Sequence, residues 1–131
     1  MSKIVGKALP DMPWQDKDEN DKLPVWRYKA NPIIDRFATR NSNSIFNSAV
    51  VPFENGYAGV FRCDSVSISM DIFTGFSEDG IHWKISNEPI VFAGADAEIL
   101  RKEYRYDPRV CLIDGKYYIS WCNGYHGPTI G

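Results

Sequence analysis

The chain has 131 residues, is 44% hydrophobic and 24% charged, and carries 15 Lys+Arg against 17 Asp+Glu. That length is enough for one domain with a core, since such a chain buries about two-thirds of its unfolded surface. The net charge of −2 and a pI near 5.6 argue against nucleic acid or an anionic membrane as partner, because both select basic surfaces.

No run approaches the ~18 apolar residues of a membrane-spanning helix. The start, Met1-Ser2-Lys3-Ile4-Val5-Gly6-Lys7, is broken by charge before an apolar stretch of signal-peptide length forms. Three cysteines, an odd number, fit reduced thiols better than a disulfide framework, and a cytoplasmic globular protein is expected. Aromatics make up 14%, with 7 Tyr and 4 Trp, which suits a surface for sugars or other ligands but equally a core.

In chain order, a leading segment (1–43) lacks periodicity. Its charged stretch Gln15-Asp16-Lys17-Asp18-Glu19-Asn20-Asp21-Lys22 reads as a solvated loop, and Pro10, Pro13, Pro24 and Pro32 deny it a long helix. Short strands punctuated by turns follow. Ala49–Phe53 and Tyr57–Arg62 flank Glu54-Asn55-Gly56, where Asn-Gly is expected to supply the positive φ angles of a tight turn. Ile72–Phe76 then leads through Ser77-Glu78-Asp79-Gly80 into a strand over Ile81–Ile85. Only Ala95–Glu103 shows a faint helical period. The fold class is all-β.

An internal repeat sets the architecture. Asn47–Cys63 aligns without a gap on Asp107–Asn123, so that Val50 falls on Val110, Phe53 on Ile113, Glu54 on Asp114, Tyr57 on Tyr117 and Phe61 on Trp121. A four-stranded unit repeated at several tens of residues marks a β-propeller. The chain holds one blade (44–93) and an incomplete second (104–131). Propellers close with roughly four to eight blades. The expectation is therefore the amino-terminal part of a longer protein, the alternative being a homo-oligomer in which further copies complete the ring.

In a propeller the inner strands line a central channel. The repeat puts Asn47 and Asp107 at equivalent starts of such strands, and the hairpin returns Arg62 to the level of Asn47. Asn47, Ser48, Arg62, Tyr106 and Asp107 then converge at one rim, with donors and acceptors suited to sugar hydroxyls. Each has a plainer reading. Asp107 before Pro108 is as readily a turn residue, and Arg62 pairs as readily with Asp64 in a weak surface bridge. His82 reads as an exposed strand residue, and His126 lies in a Gly-rich loop that borders a site in the alternative reading. Cys63, Cys111 and Cys122 lack metal-ligand spacing, so no metal site is expected.

Several segments together resemble glycoside hydrolase family 130. They are Val25-Trp26-Arg27-Tyr28, Asn31-Pro32-Ile33-Ile34, Ser44–Phe53, Gly59–Asp64, Tyr106–Cys111 and Trp121–Gly131. The likeness runs in order from about Trp14 to the last residue and is nearest the branch of β-1,4-mannooligosaccharide and mannosyl-glycan phosphorylases. It implies a five-bladed β-propeller, of which this chain covers about the first two blades.

The resemblance also implies inverting phosphorolysis of terminal β-mannosides to α-mannose 1-phosphate and a shortened acceptor. No cofactor is implied; inorganic phosphate is the co-substrate, and a β-mannosyl oligosaccharide the other partner. Asp107 becomes the general acid, its proton reaching the glycosidic oxygen through the 3-hydroxyl of the mannose. Asn47, Ser48 and Arg62 hold that mannose, and Tyr106 borders the acceptor. An inverting hydrolase needs a second carboxylate to activate water, whereas phosphate arrives anionic and needs a cationic clamp. In the family that clamp belongs to later blades, beyond Gly131. An inverting β-mannosidase and a noncatalytic sugar-binding fragment are the alternatives.

Overall fold

The computed structural model describes residues 15–94, 96–97 and 104–124, together with the backbone of 128–130. Among them, strands β1 (Ser42–Phe53), β2 (Gly56–Ser65), β3 (Met70–Ser77) and β4 (Lys84–Ile85) form one antiparallel sheet in that order. Strands β5 (Arg105–Ile113), β6 (Lys116–Asn123) and β7 (Pro128–Ile130) form a second. The all-β expectation holds for these residues. Most of the faintly helical stretch Ala95–Glu103, and His126, lie outside them.

The leading segment is held by local side-chain bonds rather than by a ladder. Asp18, Asp21 and Asp35 each accept the backbone N–H two residues on, at 2.9, 2.8 and 2.7 Å, the turn habit of a short acidic side chain. Gln15 accepts Lys29 N–H at 2.8 Å and, through its carbonyl, Trp26 Nε1–H at 3.0 Å. β1 starts at Ser42 because Ser42 and Thr39 exchange side chain to backbone bonds at 3.1 Å in both directions, both residues being buried.

Two turns differ from the sequence expectation. The last rung of the first hairpin is Phe53↔Gly56, and the positive φ falls on Glu54 (51°) rather than on Asn-Gly. Gly56 serves another purpose, since a Cβ there would lie 2.3 Å from the Ser77 carbonyl oxygen of β3. The strand expected over Ile81–Ile85 shortens to Lys84–Ile85, and His82 sits in a turn, not a strand. The reason is Asp79: its carboxylate accepts the N–H of Ile81 and of His82, both at 2.8 Å, and lies 2.6 Å from His82 Nδ1. Those amides are lost to any ladder. The same bonds, the His82 N–H foremost, hold the Asp79 carboxyl well below the usual carboxylate range.

Alternation along β2 buries both faces of the first sheet. On one face Phe61, Cys63 and Ile85 pack with Ile34, Ile45, Phe73 and Trp83. On the other, Val60 and Ile72 meet Trp121 of β6, with Ile90, Phe92 and Ile119 around them. The sheets are therefore stacked, with Trp121 stacked on Phe92 at 4.5 Å between centroids. A buried ion pair, Arg105 Nη1 to Asp71 Oδ1 at 3.5 Å, and a bond from the Tyr117 hydroxyl to the Pro52 carbonyl at 3.0 Å join them further.

The Phe61 ring lies over the facing pair Gly59↔Gly75, where an added Cβ would come within 2.6 and 2.7 Å of Phe61 Cε2. Gly75→Ala is expected to cost about 1–3 kcal/mol through overpacking, read as a lower midpoint of denaturant unfolding.

Candidate active site

Two of the candidate residues, Asn47 and Asp107, are aimed by the same irregularity, repeated. The β1–β2 register shifts between Phe46 and Ala49, and the β5–β6 register shifts between Tyr106 and Arg109. Within each shift one residue takes positive φ, Asn47 at 39° and Asp107 at 51°. Asn and Asp enter that region more readily than other side-chain-bearing residues. An irregularity of this kind re-aims a side chain out of the alternating pattern.

The outcome is contact across the sheets. Asn47 Nδ2–H donates to Asp107 Oδ1, joining residues 60 apart in sequence. Asn47 and Ser48 are exposed and Asp107 is half-buried. They line an open cleft of about 420 Å³ together with Ala49, Val50, Arg109 and Val110.

Arg62 stands beside this cleft, opposite Phe46 on the ladder. Its Nε and Nη2 donate to the two oxygens of Asp64 at 2.8 and 2.9 Å. The plainer reading of Arg62 is thus correct as to its partner. Yet the pair is only 20% exposed on each side chain, and the guanidinium carbon lies 5.3 Å from the Phe46 ring centre and 5.9 Å from that of Tyr106. The Asp64 hydrogen bond raises the Arg62 pKa, against burial, and the charges of Asp64 and Asp107 add to it. Arg62 is a fixed cation next to the acidic residue.

The Tyr106 hydroxyl donates to the Gly124 carbonyl at 3.3 Å, fixing its ring beside Arg62. Asn47, Ser48 and Asp107 therefore share the cleft, while Arg62 and Tyr106 border it. Two residues escape sequence reasoning. Arg109 lines the cleft, its Nη1 bonded to the Pro108 carbonyl at 2.8 Å. Phe46 faces Arg62, and its signal was the repeat itself, which extends back one residue to pair Phe46 with Tyr106.

The remaining candidates stand apart. His82 is paired to Asp79 on its turn. Burial, then the charges of Asp64 and Asp71, pushes the Cys63 thiol up to about 12, which removes its nucleophilic form at neutral pH. Cys111 and Cys122 are also free thiols.

Two stacked sheets that turn a carboxylate and an amide from equivalent positions into one polar cleft define the class: an all-β repeat protein with an acidic cleft between its sheets. The chain belongs to glycoside hydrolase family 130; the family model that matches residues 7–131 is described as beta-1,4-mannooligosaccharide phosphorylase. It is 50% identical over 135 residues to the beta-1,4-mannooligosaccharide phosphorylase of Ruminococcus albus, covering 98% of this chain and 40% of that protein. The chain thus spans well under half the length of this relative.

Solved structures agree in fold. One comes from work on glycoside hydrolases, within this family of mannoside phosphorylases, that target beta-1,2 mannosidic linkages in Candida mannan. It matches with a TM-score of 0.59 at 18% identity over 82% of this chain and 38% of its own. A glycosyl hydrolase from Bacteroides ovatus matches at 0.54, with 20% identity over 69% of this chain and 28% of its own.

Proposed function

We propose that the Asn47–Asp107 cleft is part of the mannosyl site of a β-1,4-mannooligosaccharide phosphorylase. The observation that carries this reading is the Asn47 to Asp107 bond, made by equivalent residues of two sheets. In this site Asn47 and Ser48 hold hydroxyls of the terminal mannose, Arg62 donates from the rim, and Tyr106 borders the acceptor sugar.

In the reaction the bond between mannose C1 and the glycosidic oxygen breaks while a phosphate oxygen bonds C1 from the opposite face. The departing oxygen receives a proton originating on Asp107, relayed by the mannose 3-hydroxyl. The products are α-mannose 1-phosphate and an oligosaccharide one residue shorter. Phosphate brings its own negative charge, so no carboxylate base is required to activate it.

We infer further that the sheets are successive blades of a five-bladed β-propeller. Trp121 and Phe61 are counterparts in the repeat, as are Ser120 and Val60. The Trp121 face of the second sheet packs on the Val60 face of the first. By strand alternation each sheet has one face of each kind. The packing is therefore head-to-tail, and repetition of such a contact closes a ring when its rotation permits.

The test is to supply the full-length protein with β-1,4-mannobiose and inorganic phosphate and follow ³¹P resonances. Phosphate-dependent appearance of α-mannose 1-phosphate is expected. Release of free mannose with phosphate unconsumed would make the protein an inverting mannosidase instead, and binding without turnover would make it a sugar-binding module.

A further inference from the structure

The Arg62–Asp64 pair has more structure than a surface bridge requires. The two residues are two apart on β2, so strand alternation sends both side chains to the same face. Asp64 takes the Nε and one Nη2 proton of Arg62, a side-on fork with both bonds below 3 Å. Of the five guanidinium N–H groups, the three left are those of Nη1 and the second of Nη2. The Phe46 and Tyr106 rings flank the group, and Tyr106 is itself pinned by Gly124.

Resting on the phosphorylase reading above, we propose that Asp64 is a positioning residue: it locks the Arg62 guanidinium so that its remaining donors meet hydroxyls of the mannosyl unit held at Asn47 and Asp107. An unheld arginine spreads over many rotamers, and ordering it on each binding event opposes affinity. Asp64 removes that cost before the sugar arrives. It also balances the Arg62 charge beside Asp107, so that the cation is not drawn onto the carboxylate that must supply a proton. Asp64 touches no substrate in this arrangement; its whole effect passes through Arg62.

The test is a double-mutant cycle in the full-length enzyme with Asp64→Asn, Arg62→Ala and the pair combined. It is read both as kcat and KM for phosphorolysis of β-1,4-mannobiose and as Kd for mannobiose without phosphate. Loss of charge-assisted bonds is expected to raise KM and Kd about 10- to 100-fold in Asp64→Asn. The double variant should be no worse than Arg62→Ala alone, because Asp64 has nothing left to position. Arg62→Lys, which carries charge without the fork, should resemble Asp64→Asn.

Additive losses, or an unchanged Kd in Asp64→Asn, would overturn the proposal. Should Asp64→Asn unfold, Asp64→Glu replaces it in the same cycle. A wild-type protein that binds mannobiose but forms no mannose 1-phosphate would sink the phosphorylase reading while leaving the cycle legible in Kd.

Discussion

Asp107→Asn is expected to lower kcat for phosphorolysis about 10³-fold with little change in KM, since a positioned general acid contributes roughly 10²–10⁴ in rate. The substitution is nearly isosteric, and an Asn side chain retains a carbonyl oxygen to accept the bond from Asn47 Nδ2 that Asp107 Oδ1 accepts in the native chain. What it lacks is a proton to give. The mannosyl unit should still bind, and the departing oxygen should leave as an unassisted alkoxide.

A leaving group that needs no protonation separates this role from damage to the site. With an aryl β-mannoside of acidic phenol, the deficit of Asp107→Asn should shrink relative to mannobiose. Equal losses on both substrates, or full activity on mannobiose, would remove Asp107 from the acid role. Asp107→Ala should do worse in KM, because it also deletes the partner of Asn47.

The second large effect concerns the contact between the sheets. Trp121 is 1% exposed, packs with Val60 and Ile72 of the first sheet, and stacks on Phe92. Trp121→Ala is expected to destabilise by about 3–5 kcal/mol, the range for deleting a large buried aromatic. Thermal unfolding should shift down by roughly 10 °C or more.

Its effect reaches the cleft as well. Asn47 belongs to one sheet and Asp107 to the other, so a shift of one sheet on the other changes their separation directly. Trp121→Ala should therefore raise KM for mannobiose even where the protein remains folded, and Trp121→Phe, which refills much of the space, should recover part of both losses. A variant that loses stability while its KM stays put would show that the cleft does not depend on this packing.

The hairpins were legible because their cause is local: apolar and aromatic alternation broken by short acidic turns. Even there a non-local contact intervened, since Gly56 answers to the Ser77 carbonyl of the neighbouring strand rather than to its own turn. The strand expected through His82 failed for a similar reason, because the Asp79 side chain competes for amides that hydropathy alone assigns to a ladder. Phe46 went unnoticed although its counterpart Tyr106 did not, because its claim rests on facing Arg62, a cross-strand relation. The partner of Arg62 was foreseen only as the dull alternative, and the flanking rings give that pair its interest.

The all-β class, the tandem repeat and the family likeness all reside in the linear order of residues, since each depends on patterns a few positions long or on spacing along the chain. The meeting of Asn47 with Asp107 does not. It needs two register shifts that no periodicity announces, positive φ angles that bend the side chains out of alternation, and a tryptophan buried between the sheets. Such facts are sums over atoms far apart in the chain, so they emerge when the sheets close on each other and not before.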